Sequence, residues 1–323
     1  LGYFQDPELA FVQTPQDFYN LDSFQHRGIK GGRLVWTEQS LFFRVIMRGK
    51  DRHNAAFFAG SCAILRRSAL DAIGGFATGT VTEDLHTSIR IHKKGYRSLY
   101  HGEALAFGLA PPSIRPFLQQ RVRWGSGAMQ VWRREGVLTA KGLSTAQRLS
   151  YLASMLTYFD GWQKAIFYLA PAFVLVTGVM PIAHLGWEFL MHFIPFYLLN
   201  FWAFEELGRG YGNSIYIEQY NMARFFAFIR STLGLFRRAG RFEVTSKSLR
   251  AVRGRYVAPQ SAILAFNGLA IPVGTALFLA GNGLSPGAFG ANLFWAGLNS
   301  ALASAVLVFT LAVHRRRTEY RFP

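Results

Sequence analysis

The sequence predicts a mixed α/β domain followed by a membrane α-helical region. Over the first 135 residues, short apolar runs alternate with segments of helical periodicity, as in α/β sheet domains. Of the 18 acidic residues, 12 precede position 165, and long uncharged stretches follow it. No Lys, Arg, Asp or Glu occurs from Tyr256 to His314, whereas soluble domains rarely run so far without a charge. We therefore predict two regions, residues 1–140 and residues 141–323.

The first region is predicted to contain short strands and helices in alternation. Apolar runs at residues 10–14, 55–65 and 96–100 are typical of strands. A brief helix is expected to begin at Ser68 as N-cap and to end before the glycines at 74 and 75. Helical spacing over residues 84–94 ends at Gly95, and a longer helix is expected to follow Ser113.

The second region is predicted to cross a membrane four times. A hydrocarbon core of about 30 Å needs roughly 20 apolar residues in a helix. A buried core helix of a soluble protein is the alternative for any one segment, but it does not explain the whole pattern. The predicted spans are residues 163–183, 186–204, 260–280 and 292–313.

The distribution of cations orients these spans. Residues 205–255 contain ten Lys or Arg and the tail after His314 contains four, whereas the connections at 181–188 and 281–292 contain none. By the positive-inside rule the first region, the 205–255 segment and the C-terminus are cytoplasmic. These assignments describe a multi-pass membrane protein with a basic cytoplasmic segment at 205–255.

Charge and cysteine content limit the classes of binding partner and the cellular compartment. The net charge is +17, but many cations lie where cytoplasmic loops meet lipid, so the bilayer and nucleotide diphosphates suffice as partners and no nucleic acid is expected. A single cysteine, Cys62, fits a reducing compartment. The chain opens on Leu1 in what reads as mid-domain sequence, so we expect it to be a fragment.

Two short motifs carry chemically useful groups. In Thr82-Glu83-Asp84 a carboxylate is available as a base, and residues 120–124 (Gln-Arg-Val-Arg-Trp) offer cations and an aromatic face. On the tripeptide alone, an ordinary helix start with Thr82 as N-cap is the favoured explanation. An interfacial helix, with both arginines at lipid headgroups, explains the second motif equally well.

Five stretches taken together resemble the processive family-2 glycosyltransferases, and most closely their cellulose synthase branch. Ala59 is a departure, because those enzymes usually carry Cys there. The last stretch favours cellulose synthase over hyaluronan or chitin synthase, although related glucan and mannan polymerases remain candidates. The stretches are V-Q-T-P at 12–15 with F-Y-N at 18–20, F-F-A-G-S at 57–61, T-E-D at 82–84, Q-x-x-R-W at 120–124 and F-x-V-T-x-K at 242–247.

The resemblance implies the C-terminal part of a GT-A-type, Rossmann-like transferase domain, followed by interfacial helices and four transmembrane helices. It also implies a multi-pass protein of a bacterial inner membrane, with a cytoplasmic interfacial helix and a gating loop within 205–255. It implies inverting, processive transfer of glucose from a UDP-sugar donor, UDP-glucose, to a polysaccharide acceptor, a β-1,4-glucan (cellulose) that is extruded through the membrane. The alternatives are a mannan, curdlan, chitin or hyaluronan type of synthase, and a non-catalytic transporter or scaffold. The last two predicted spans contain no ionisable residue that could couple transport to ions or protons, which argues against the transporter.

The resemblance also implies roles for individual residues. Asp84 is the catalytic base. Residues implied in acceptor and substrate binding are Thr82, Glu83, Phe57, Gly60, Ser61, Gln120, Arg123 and Trp124. Within this set, Arg123 would take the diphosphate and Trp124 would stack on the terminal sugar. A gating loop over the nucleotide would use Phe242, Val244, Thr245 and Lys247.

The implied cofactor is Mg²⁺ or Mn²⁺. Its D-x-D site is expected upstream of the V-Q-T-P segment, before the first residue of this chain, so no metal ligand is predicted here. His86 and His92 are six residues apart and therefore lie on different helix faces, which does not suit a shared metal ion. Arg317 and Arg321 match the R-x-x-x-R opening of a PilZ domain, which would bind cyclic-di-GMP, but a basic stop after the last span is the favoured explanation. A periplasmic accessory subunit is a further possible partner.

Overall fold

The computed structural model describes residues 1–29, 34–181, 187–236, 254–281 and 284–319. The chain divides into two compact units. The first contains Leu1–Asp160 and the described residues from Ala227 to Phe236, and the second contains Gly161–Phe226 and the described residues from Gly254 onward. The domain boundary placed at residue 140 from sequence stays a prediction.

Short strands form three small sheets among the described residues of the first unit. The strands are β1 Leu9–Gln13, β2 Asp17–Phe18, β3 His26–Ile29, β4 Leu34–Thr37, β5 Ala63–Leu65, β6 Arg97–Tyr100 and β7 Phe107–Gly108. The central sheet has the order β5-β1-β6, with β1 antiparallel to β5 and parallel to β6. β2 pairs with β7, and β3 pairs with β4. All five residues of β1 are buried, as expected of a central strand covered on both faces.

The strand predictions at 10–14 and 96–100 are confirmed by β1 and β6, but the prediction at 55–65 is wrong for most of its length. Only Ala63–Leu65 is a strand. Gly60 and Cys62 have φ angles of +84° and +56°, in the left-handed region. Extended pairing is impossible through such residues, so the segment before β5 is an irregular loop.

Five helices of the first unit are α1 Met47–Asp51, α2 Arg67–Asp71, α3 Glu83–Lys93, α4 Ile114–Glu135 and α5 Thr145–Leu156. The predicted N-cap at Ser68 is wrong, because the cap is Arg66, two residues earlier, and the helix begins at Arg67. Ser113 is the N-cap of α4, as predicted, and the left-handed Gly136 ends that helix. A capping box between Ser144 and Gln147 starts α5.

The main core cluster of this unit joins α3, α4 and α5. Leu85 and Ile89 of α3 pack with Met129 of α4 and with Tyr151 and Met155 of α5. A second cluster covers β1, where Phe11 is fully buried. The core therefore fixes the first turn of α3 against α4, the two helices that carry the motifs.

The second unit is helical, and its helices α6 Asp160–Thr177, α7 Trp187–Gly208, α9 Ala258–Leu279 and α10 Pro286–Glu319 match the four predicted spans in order. Two of the described helical segments, Ala258–Leu279 and Pro286–Ala312, are long and apolar enough to cross a membrane. α6 and α7 carry charged residues at their ends, including Asp160 and Glu188, and their crossing stays a prediction. α8 Ser214–Thr232 lies where an interfacial helix was predicted.

Polar contacts join helices of the second unit. The Nδ2 of Asn267 in α9 donates to the backbone carbonyl of Ala296 (3.1 Å) and to the Oγ of Ser300 (3.0 Å) in α10. Asn299 of α10 donates to the carbonyl of Phe167 in α6 at 3.2 Å. Such side-chain contacts are a common means of holding helices together in apolar surroundings.

Candidate active site

The Thr82-Glu83-Asp84 motif forms the beginning of α3, and Thr82 occupies the N-cap position without acting as a capping side chain. Its Oγ1 is buried and has no hydrogen-bond partner among the described residues. The side chain packs instead on α4, because a Cβ atom on Gly127 would lie 2.3 Å from Oγ1 of Thr82. Thr82 therefore does not act as an ordinary capping side chain; it forms the contact between α3 and α4.

Asp84 follows in the first turn of α3. The backbone N–H of Leu85 donates to its Oδ1 at 2.7 Å. Burial raises the pKa of Asp84 to about 6, Glu83 adds to the rise, and the Leu85 N–H and Arg123 oppose it. A carboxyl group with this pKa is ionised at neutral pH yet basic enough to take a proton, as a general base requires.

Arg123 of α4 shares the electrostatic environment of this carboxylate. It lies one helical turn before Gly127, on the same face of α4, and Gly127 contacts the start of α3. Burial lowers the pKa of Arg123, and the nearby carboxylates of Glu83 and Asp84 oppose that decrease. The structure thus brings together Glu83, Asp84 and Arg123, three residues that the sequence analysis selected.

Arg121 has a different position from Arg123, although an interfacial helix would place both at lipid headgroups. It is 3% exposed and forms an ion pair with Glu38, a residue that is also buried. Its guanidinium carbon lies 4.5 Å from the ring centroid of Phe117 and 4.4 Å from that of Trp124. The interfacial-helix explanation is therefore wrong for Arg121. This residue holds the Trp124 ring, and its Nη1 also donates to Oε1 of Gln120 at 3.1 Å.

The loop at residues 59–62 closes the other side of Asp84. A Cβ atom on Gly60 would lie 2.9 Å from Oδ2 of Asp84, so only glycine allows this approach. Ser88, one turn after Asp84, connects the loop to α3, since its Oγ accepts from the N–H of Phe58 (2.8 Å) and donates to the Asp84 carbonyl (2.8 Å). Gly60 and Ser61 are exposed, so the loop presents its backbone to solvent beside the carboxylate.

Phe57 lies at the other end of this segment. Its ring packs against Phe42 and Tyr151, at centroid distances of 5.8 and 6.4 Å, and Lys50 Nζ lies 6.0 Å from its centroid. These contacts belong to the core clusters. Acceptor binding by Phe57, Gly60, Ser61, Gln120 and Trp124 stays a prediction.

Two further predictions concern the gating loop and the metal site. The gating-loop residues Phe242, Val244, Thr245 and Lys247 lie outside the described residues, as does Arg321 of the C-terminal motif. Within the part of the chain that is described, no group of three or more His, Cys, Asp or Glu side chains is arranged to hold a metal ion. His86 and His92 have separate partners, Glu135 (2.7 Å) and Tyr151 (2.7 Å) respectively.

Comparison with known proteins identifies the family of the chain. Residues 2–204 match the glycosyl transferase family group 2. The chain belongs to this family. Members of the family have the GT-A fold and generally use a divalent metal ion, for which the described residues do not supply a ligand set.

Several cellulose synthases are similar to this family-2 chain. Cellulose synthase 1 of Komagataeibacter xylinus is 34% identical over 327 residues, which cover 99% of this chain and 21% of that protein. The UDP-forming cellulose synthase catalytic subunit of Pseudomonas fluorescens (strain SBW25) is 30% identical over 328 residues, covering 99% of this chain and 44% of the relative. The corresponding subunit of Komagataeibacter sucrofermentans is 36% identical over 244 residues, covering 75% of this chain and 32% of the relative. The chain therefore spans less than half the length of these relatives.

Proposed function

We propose that this chain belongs to a membrane-embedded, processive glycosyltransferase that adds glucose from UDP-glucose to a growing β-1,4-glucan. The proposal rests on the position of Asp84, which lies between the backbone of Gly60 and the face of α4 that carries Arg123. The names of the relatives, UDP-forming cellulose synthases, support the donor and the product.

Asp84 acts as the general base in this proposal. Its carboxylate takes the proton of the acceptor hydroxyl while that oxygen attacks the anomeric carbon of the donor. The electron pair of the bond that breaks leaves with the diphosphate, and the anomeric configuration inverts. Burial favours this step, because a pKa of about 6 makes Asp84 a stronger base than an ordinary aspartate while it stays ionised at pH 7.

Arg123 and Trp124 serve the two substrates. The planar guanidinium of Arg123 suits a diphosphate, and the neighbouring carboxylates keep it oriented before the donor arrives. Trp124, held from behind by Arg121, offers an aromatic face to the terminal sugar. The divalent ion would supply charge neutralisation of the diphosphate. Its ligands are proposed to lie mostly upstream of this chain.

The membrane region is proposed to carry the polymer outward. α9 and the apolar part of α10 have the length and composition of spans, and α6 and α7 complete the predicted set of four. The transferase region is proposed to face the cytoplasm of a bacterial cell, where UDP-sugars are available, with the basic 205–255 segment on the same side. Closure of Phe242, Val244, Thr245 and Lys247 over the nucleotide is part of the proposal.

The test is incorporation of labelled sugar by membranes that contain the intact protein. UDP-glucose should give an ethanol-insoluble product that an endo-β-1,4-glucanase digests, whereas UDP-N-acetylglucosamine and GDP-mannose should give none. Asp84→Asn should abolish incorporation, and the matched variant Asp71→Asn, at an exposed residue paired only with Arg67, should not. Incorporation from another donor would reassign the product, and full activity of Asp84→Asn would remove the base from the mechanism.

A further inference from the structure

The amide side chain of Gln13 makes four hydrogen bonds close to the loop that contacts Asp84. Gln13 is the last residue of β1 and is fully buried. Its Nε2 donates to the carbonyls of Thr14 (2.7 Å), Ser61 (2.8 Å) and Cys62 (3.3 Å), and its Oε1 accepts from the N–H of Ala59 (2.8 Å). One side chain therefore binds both ends of the loop at residues 59–62.

This loop needs such an anchor because of its backbone conformation. Cys62 is a non-glycine residue with a φ angle of +56°, and Gly60 has a φ angle of +84°. Left-handed conformations of non-glycine residues cost free energy and persist only where the surroundings enforce them. The Gln13 amide is suited to that purpose, since a donor and an acceptor on one planar group match an N–H and carbonyls that point inward.

The anchored loop is also the one that contacts the proposed base. Gly60 lies against Oδ2 of Asp84, with 2.9 Å between that oxygen and the position of a Cβ. Ser88 fixes the preceding residue, Phe58, to α3. The loop is thus held by β1 on one side and by α3 on the other. A movement of the loop would open the space beside the carboxylate to water.

We propose that Gln13 is a positioning residue that holds the Gly60 backbone against Asp84 and so keeps the carboxylate in its partly dehydrated, reactive placement. Gln13 touches neither reacting group, and its effect passes through the loop. This inference rests on the proposed function of Asp84. Its own consequence is specific. Without the amide, more water should reach Asp84, which is partly exposed, and its pKa should fall from about 6 towards the ordinary 3.8.

The test compares Gln13→Met, which keeps the length of the side chain and removes its hydrogen bonds, with Asn20→Leu. Asn20 is a matched control because its amide binds another loop, donating to the carbonyl of Ala110 (3.0 Å) and accepting from the Ala110 N–H (2.7 Å).

The quantities to measure, in membranes with the intact protein, are kcat, the KM for UDP-glucose, the pH dependence of kcat/KM and the thermal midpoint. Gln13→Met should lower kcat by about 10²-fold, the size of effect known for misplacements near 1 Å. Its KM should change little, and its acid limb should move to lower pH.

Asn20→Leu should lower the thermal midpoint and leave the acid limb in place. If Gln13→Met behaves in the same way, with kcat and the acid limb unchanged, Gln13 is merely structural and the inference is overturned. If Gln13→Met does not accumulate, Ser88→Ala loosens the same loop from the α3 side and should shift the acid limb in the same direction; an unshifted limb overturns the inference equally. Asp84→Asn is measured in parallel. Activity in that variant would overturn the proposed function itself, whereas loss there with an unmoved limb in Gln13→Met would overturn the positioning role alone.

Discussion

Gly127 lies directly against Thr82, so close that any Cβ atom on Gly127 would stand 2.3 Å from the Thr82 Oγ1. Because Thr82 is the residue from which α3 begins, this contact sets the distance between the first turn of α3 and the face of α4. The same face carries Arg123 one turn earlier. The closeness of Asp84 to Arg123 therefore depends on the absence of a side chain at residue 127.

Gly127→Ala is expected to separate the two helices and to lower activity by one to two orders of magnitude, about the effect of a 1 Å misplacement near the reacting groups. The measurement is kcat in membranes. Gly49→Ala is the control, because Gly49 is a helical glycine with open space around it, and Ala there should be neutral or slightly stabilising. Normal kcat in Gly127→Ala would show that the site tolerates a shift of α3.

Asp84→Asn should stabilise the protein at neutral and alkaline pH. Burial raises the pKa of Asp84 to about 6, above its ordinary 3.8, so the folded protein disfavours the ionised carboxylate. The contribution of Asp84 to the free energy of unfolding is therefore complete below the ordinary pKa and is lost as the pH rises through about 6. Asparagine removes that loss. We expect a gain on the order of 1 kcal/mol at pH 8 and none at pH 4, measured as thermal midpoints at the two pH values. Equal midpoints at pH 8 would mean that the folded protein does not disfavour the ionised carboxylate.

The Glu135 carboxylate should show the opposite dependence. It accepts hydrogen bonds from His86 (2.7 Å) and Lys93 (2.8 Å), and these contacts lower its pKa to about 2. The resulting stabilisation is present above the ordinary value of 4.5 and is lost as the pH falls through about 2. Glu135→Gln should therefore be destabilised at pH 7 and should approach the wild-type midpoint below pH 3. Glu103→Gln, at a side chain that is 71% exposed, should have little effect at either pH.

Arg121 and Arg123 should respond differently to the same substitution. Arg121→Gln removes the guanidinium that pairs with the buried carboxylate of Glu38, and loss of one partner of a buried pair typically costs about 3–5 kcal/mol. Arg123→Gln should fold normally and weaken binding of the UDP-sugar. Thermal midpoints and UDP affinity, measured for both variants, separate the two effects. A large loss of stability in Arg123→Gln with unchanged UDP affinity would assign Arg123 to the fold.

The contrast between these arginines shows where prediction from sequence ended. Periodicity and end signals were sufficient for α3 and α4, because those helices follow local rules. The partner of Arg121 is Glu38, 83 residues away, and nothing in the local sequence distinguishes Arg121 from Arg123. Spacing on a helix could have separated them only if the buried face of α4 had been known.

The loop at residues 59–62 illustrates a second limit. The apolar run around it predicts a strand, because hydrophobicity is averaged over several residues. The loop is instead irregular and is hydrogen-bonded to the buried amide of Gln13, which is distant in sequence and polar in a strand that is otherwise apolar. The resemblance implies acceptor binding for Gly60, which stays a prediction, whereas the close approach of the Gly60 backbone to the Asp84 carboxylate became visible only in the coordinates.

The membrane topology can be tested by labelling single cysteines. Ser285 is exposed at the beginning of α10, in a connection with no Lys or Arg, and Ser246 belongs to a segment with many cations. On a Cys62→Ser background, Ser285→Cys should react with a membrane-impermeant maleimide in intact cells, because connections without cations are placed outside. Ser246→Cys should react only after permeabilisation.

The native protein supplies the cytoplasmic control, since Cys62 in the transferase unit should likewise be protected until the membrane is permeabilised. Labelling of Ser246→Cys and of native Cys62 from outside, with protection of Ser285→Cys, would invert the topology and remove the transferase region from the compartment that contains its proposed donor.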